Sequence, residues 1–328
     1  MEEPISDQPK PIGIWDANLR NSSSQKNAKS SNSTIRLAPK KNWGIRHIIY
    51  SFVGFIGIQI LVAVGLIFVL VASTPNPQTL LDSTKLSEGL ATLLTNPVVL
   101  LVSQFSLYLT WLAFIAFVSR FRGLRSFAKD FWLKFRWYDA PLGLLIASAL
   151  FLVINVLIPW YVDKFTNWNL AGADNASQLT GETGPWFFII SLGVVGIAGP
   201  FFEELYFRGF IMQGIIKHFR KGLGTTPTSR LGLNVYKNHF AIYNAYLKTK
   251  HWAYKYKYVI AVVVSSVLFG LMHFQGVETF GQIWVVFATG SIGLVLALIA
   301  LRTRRLGLGI FIHIFFNSLG VLVPLILS

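Results

Sequence analysis

Cysteine is missing altogether from the 328 residues. Disulfides, thiolate metal sites and cysteine nucleophiles are therefore excluded. Charge is scarce: Asp, Glu, Lys and Arg make up 13% of the chain, about half of the roughly 25% usual in a soluble domain. Acidic residues are the scarcest, 14 against 29 Lys and Arg, leaving a net charge of +15. So little charge beside 53% apolar residues excludes a disordered tail protein and argues against a soluble enzyme. No apolar signal-peptide core stands near Met1, so an ordinary cleavable leader is not expected. No internal repeat stands out.

What the chain has instead is long apolar runs and aromatics, with 27 Phe and 10 Trp and a mean hydropathy of +0.53. Seven runs are long enough to read as membrane spans of about 20 residues. They are Ile48–Ala72, Pro97–Ser119, Pro141–Val162, Pro185–Ile216, Val259–Phe274, Phe280–Leu301 and Leu306–Leu327. The fold expected is all-α and polytopic, with about seven transmembrane helices. The fifth run is short and borrows an interfacial turn from Trp252 to Tyr258. The fourth is long, with a kink expected at Gly199-Pro200.

The basic residues set the orientation. Segments 1–47, 120–140, 217–258 and 302–305 together hold 26 Lys and Arg, and the alternate segments hold 2. By the positive-inside rule the N-terminus is cytoplasmic and the C-terminus outside. The charge excess thus reflects topology, and a nucleic-acid partner is not expected. Residues 1–47, rich in Ser, Asn, Lys and Pro, read as a disordered cytoplasmic tail. Residues 48–180 read as accessory transmembrane helices and 181–328 as a functional core. Segment 217–258 is a basic cytoplasmic insert with 9 basic and no acidic residues, interleaved with tyrosines. It reads either as an ordinary positive-inside loop or as an element docking on anionic headgroups.

Ionisable groups inside spans cost about 2.5–3.5 kcal/mol each on insertion scales, which makes each one a functional candidate. The first three spans hold no acid, base or histidine in their interiors. The fourth holds Glu203, Glu204 and Arg208, the fifth His273, and the seventh His313 and Asn317. Glu204 and Arg208 are four residues apart, about 40° around a helix, and can pair. Glu203 is five from Arg208, about 140° around, and is left free to act as a base. His313 and Asn317 share one face and can donate two hydrogen bonds to a developing oxyanion. Taken singly, each group has a structural alternative: a buried ion pair, a histidine bonded to a carbonyl, an amide joining two helices.

The chemistry narrows further by what is absent. No span contains Asp, no His-Glu-x-x-His occurs, and no intramembrane Ser stands in a Gly-x-Ser nucleophile setting. A Glu/His pair activating water, with His/Asn stabilising the anion, remains: amide hydrolysis by a water nucleophile. Two other function classes stay open, a non-catalytic immunity or scaffold protein that retains the motif as packing, and a transporter using the set as a proton relay. Depth poses a difficulty. Counted from the expected cytoplasmic boundaries, Glu203 lies 13 residues deep, His273 14 and His313 only 7. That leaves His313 roughly 10 Å too shallow at 1.5 Å per residue.

At these residues the chain resembles the CPBP family of CAAX-prenyl-protease and bacteriocin-processing (Abi) membrane proteins. The family's three motifs are Glu-Glu-x-x-x-Arg, Phe-x-x-x-His and His-x-x-x-Asn. They stand here in order as Glu203-Glu204 with Arg208, Phe269 with His273, and His313 with Asn317. The resemblance covers about 185–320. It implies an intramembrane endopeptidase in which Glu203 and His273 activate water while His313 and Asn317 form the oxyanion hole. Some members are described as metalloproteases, so it also leaves zinc open as a cofactor, held by Glu203, His273 and His313. The metal-free mechanism is favoured, because Arg208 occupies Glu204 and a guanidinium beside a dication is repulsive. Expected partners are membrane lipids and a peptide or protein substrate, lipidated if it follows the prenyl-protease members. Nothing fixes the oligomeric state. The expected location is a multi-pass position in a bacterial plasma membrane.

Overall fold

The structure, a computed structural model, describes residues 43–166, 191–220, 251–274 and 280–327, together with 168, 170, 189, 248 and 249. The regular structure of these residues is all helical, with no strand among them. Helix α1 spans Ile45–Ser73, α2 Ser83–Thr95, α3 Pro97–Arg122, and α4 is a single turn, Phe127–Asp130. Helix α5 runs Asp139–Phe165, α6 covers 191–220, α7 Lys257–Leu271, α8 Phe280–Thr303 and α9 Gly307–Leu327.

Within the described residues, all seven expected apolar runs fall largely on helices. Four are long and apolar enough to cross a membrane on length and composition alone: Ile45–Ser73, Leu101–Arg122, Asp139–Phe165 and Phe280–Thr303. Their outward residues are apolar; Phe68 and Phe287, for example, are more than 70% exposed. Such faces are stable against lipid chains and costly against water. The protein is an integral membrane protein. Helix α6 falls outside the four because it carries Glu203, Glu204 and Arg208, while α7 is short. The turn expected before the fifth span is present, since the helical residues 251–255 break at Tyr256 before α7 begins. Helix α2, a polar helix between the first two spans, was not expected from the sequence.

The polar tail expected over 1–47 lies outside the described residues as far as 42. Its last residues already belong to the packed body: Trp43 and His47 are buried, and α1 opens at Ile45. Most of the basic insert 217–258 is likewise outside the described residues, although 217–220 complete α6.

Helix α6 is the central post. Every residue from Leu205 to Met212 is buried, so this stretch has no lipid-facing side. It packs on α1, α3, α7 and α8, while the first half of α6 lies along α9. Helix α9 also packs along α5, and α7 along α8. A helix carrying Arg208 needs such enclosure, because the guanidinium is expensive in hydrocarbon.

The basic helix ends lie together. Trp43 stacks on Phe210 at 5.1 Å, the Lys217 ammonium lies 3.9 Å over the Trp43 ring, and Phe131 packs 5.5 Å from Trp43. The loop 131–139 then covers the start of α9. Leu306 N–H donates to the Trp132 carbonyl and Gly307 N–H to the Lys134 carbonyl, while Arg305 pairs with buried Asp139. Leu306, Leu308 and Ile310 are buried, Leu308 against Ala147 of α5 and Leu296 of α8 among others. Helix α9 therefore begins beneath a cover of chain, and the counted depth does not keep its His313 from Glu203 and Glu204, which lie 3.7 and 3.1 Å away.

Candidate active site

Proline shapes α6 from within. The helix is wound wider, with i→i+5 bonding, over Ser191–Ala198 and again over Leu205–Met212, and is α-helical over Gly199–Glu204 between them. Such π segments often mark functional positions in helices. Continuing the i→i+5 register, the Val195 carbonyl would pair with the nitrogen of Pro200, which has no hydrogen. The Asn317 amide on α9 donates to that carbonyl instead, at 3.1 Å. One sequence feature thus leaves an acceptor open and another closes it, and the bond joins α9 to α6 beside the glutamates.

Glu204 makes its two contacts through Oε1, and its Oε2 is buried without a hydrogen-bond partner. The residue is fully buried, with Oε1 2.8 Å from Arg208 Nη1 and 3.1 Å from His313 Nδ1. Arg208 is also fully buried; its Nη2 donates to the Gly293 carbonyl at 3.1 Å, and the guanidinium lies 4.3 Å over the Phe269 ring. Gly293 makes this approach feasible. A Cβ there would stand 2.9 Å from Phe269 and 3.2 Å from Arg208 Nη2.

Glu203 differs from its neighbour. Its side chain keeps 17% exposure, although its Oε2 too is buried without a hydrogen-bond partner. His313 Nε2 stands 3.7 Å from that oxygen. With Nδ1 directed at Glu204, the His313 ring is fixed by one glutamate and turned toward the other. His273 closes its Nδ1 on the Phe269 carbonyl of its own helix at 2.9 Å. A carbonyl only accepts, so Nδ1 carries the hydrogen and Nε2 of the neutral ring is the acceptor. Phe269 packs against both imidazoles, at 4.9 Å from His273 and 5.5 Å from His313.

Phe269 of α7 thus lies against Arg208, His273 and His313, and His313 of α9 meets Glu203 and Glu204 of α6. Asn317 reaches this assembly through Val195, so one of its two amide hydrogens is already committed. The zinc set left open by the sequence finds no matching geometry. Among the described residues no three His, Asp or Glu side chains converge as a metal site needs. A side chain that a search limited to acids, bases and histidines passes over is Tyr108 of α3, which stacks on Phe202 at 5.1 Å.

Residues 185–319 match the family model described as Rce1-like, type II CAAX prenyl endopeptidase. The match agrees with the resemblance to CPBP-family intramembrane proteases carried by the three motifs. All three motifs lie within it, and the family is one of CAAX-type intramembrane endopeptidases. No curated protein and no solved structure matches the chain. The CPBP-type segment includes α6 to α9, whereas α1 to α5 lie outside the match.

Proposed function

We propose that this chain hydrolyses a peptide bond within the membrane, with Glu203 as the base that activates water. The observation that carries the reading is the contrast between two adjacent carboxylates. Both bury an Oε2 without a hydrogen-bond partner, but Glu204 is fully buried with its Oε1 against Arg208 and His313, whereas Glu203 keeps 17% side-chain exposure and has no arginine paired with it in an ion pair. A carboxylate that stays partly accessible and is not neutralised by an arginine can take a proton from water.

In the reaction, water donates a proton to Glu203 or to Nε2 of His273 as its oxygen attacks the scissile carbonyl carbon. The carbonyl oxygen becomes an oxyanion, held by the remaining amide hydrogen of Asn317 and by His313. The C–N bond then breaks, and the proton taken from water passes to the leaving amine. Glu204 and Arg208 hold His313 and the helix in place. Nothing in this sequence of steps needs a metal. The family points to a prenylated C-terminal tail as the first substrate class to try.

The test is cleavage of a prenylated CAAX-ended peptide by purified full-length protein in vesicles, compared with Glu203→Gln. General-base catalysis contributes roughly 10²–10⁴-fold, and a loss of that size at unchanged folding is expected. Full activity in Glu203→Gln would remove the peptidase mechanism and favour a protein that keeps the motif for packing.

A further inference from the structure

The helices outside the CPBP-type segment also reach this site. Tyr108 lies midway along α3, buried, with its ring stacked on Phe202 at an interplanar angle of 16°. One turn further on, Trp111 stacks on Tyr206 at 4.3 Å and 2°, and Tyr206 in turn bonds to Ser51 of α1 at 2.7 Å. Helix α3 is thus clamped to α6 on both sides of the paired glutamates, since Phe202 precedes Glu203 and Tyr206 follows Glu204.

The clamp aims the Tyr108 hydroxyl. A Cβ placed on Gly199 would lie 2.7 Å from that hydroxyl and 3.5 Å from Oε1 of Glu203. The two oxygens are therefore within about 6 Å of each other. Two hydrogen bonds of about 2.8 Å each, sharing one oxygen atom, span such a gap. Gly199 is the residue that keeps the space open, because any side chain there would meet the phenol.

We propose that Tyr108 is a further catalytic residue, whose hydroxyl and Glu203 together hold the nucleophilic water in the space left by Gly199. The proposal rests on the peptidase reading of Glu203. In this arrangement water donates one hydrogen to Glu203 and the other to the Tyr108 oxygen, and a lone pair is left to face the scissile carbon. The proton moves to Glu203 as the C–O bond forms; Tyr108 orients the water and takes no net proton. The accessory helices then complete the site, beyond enclosing it.

The experiment uses the full-length protein in vesicles and the prenylated peptide, with melting curves for each variant. Tyr108→Phe keeps the ring stacked on Phe202 and removes only the hydroxyl. It should lower kcat by about tenfold or more, the size expected for one lost hydrogen bond to a reacting group, with KM and melting temperature unchanged. Gly199→Ala places a methyl in the gap and should also lower kcat. Wild-type kcat in Tyr108→Phe, or a loss matched by a fall in melting temperature, overturns the proposal. Glu203→Gln in the same assay separates the two readings. If Glu203→Gln is inactive and Tyr108→Phe is not, only the role of Tyr108 falls; if Glu203→Gln is active, the peptidase mechanism falls first.

Discussion

Glu204 and Arg208 illustrate how little freedom a buried charge has. Removing one member of such a pair leaves the other unpaired, at a cost of about 3–5 kcal/mol. Glu204→Gln and Arg208→Ala should therefore both melt early in detergent and lose activity with the fold. The double change Glu204→Gln with Arg208→Met should recover part of the stability, because replacing both charges is milder than stranding one. A double variant no more stable than the singles would show that the pair is not the source of the loss. The same guanidinium bears on metal content. Its positive charge, held against Glu204 at 2.8 Å, repels a dication, so activity should survive a chelator. Stoichiometric zinc in the purified protein, with activity lost to the chelator and restored by zinc, would overturn that expectation. The i, i+4 spacing made this pair legible in the sequence, because it depends on one helix alone. The partners of His313 were not legible, since they come from another helix.

Among the elements, α6 departs most from a regular helix, and Pro200 bears on the first of its two wide segments. The Val195 carbonyl depends on Asn317 for its hydrogen bond. Asn317→Ala should strand it and cost about 1–3 kcal/mol. Pro200→Ala restores a backbone N–H at the open position. The combined variant Asn317→Ala with Pro200→Ala should thus melt closer to wild type than Asn317→Ala alone. Strictly additive losses in this cycle would mean that the proline and the amide do not share an acceptor. A kink at Gly199-Pro200 was the natural expectation from the sequence. The wider winding on both sides was not foreseeable from residue spacing, and the donor to the Val195 carbonyl comes from more than a hundred residues further on. Helix α9 makes the same point about depth. Counting residues from Leu306 put His313 too shallow to meet Glu203, and the structure brings the two within 3.7 Å, since a count along one helix does not register how two helices are set against each other.

Across the whole molecule, the ends bearing the basic residues gather at Trp43, Phe131 and Lys217. Reporter fusions after Ser328 should accordingly read outside the membrane and fusions ahead of Trp43 should read cytoplasmic. A cytoplasmic signal after Ser328 would require one span more or fewer. The sequence by itself determined the membrane character, the positions of the apolar helices and the three motifs, because hydropathy, helical period and residue spacing are local properties of a chain. It also separated Glu203 from Glu204, through the angle each makes with Arg208 on a single helix. Only the tertiary structure decided which groups meet: His313 between the two glutamates, Asn317 on the acceptor that Pro200 leaves open, and Tyr108 across Gly199 from Glu203. These contacts join helices far apart in sequence, and their distances are set by how side chains fill the space between rods, which no single helix encodes.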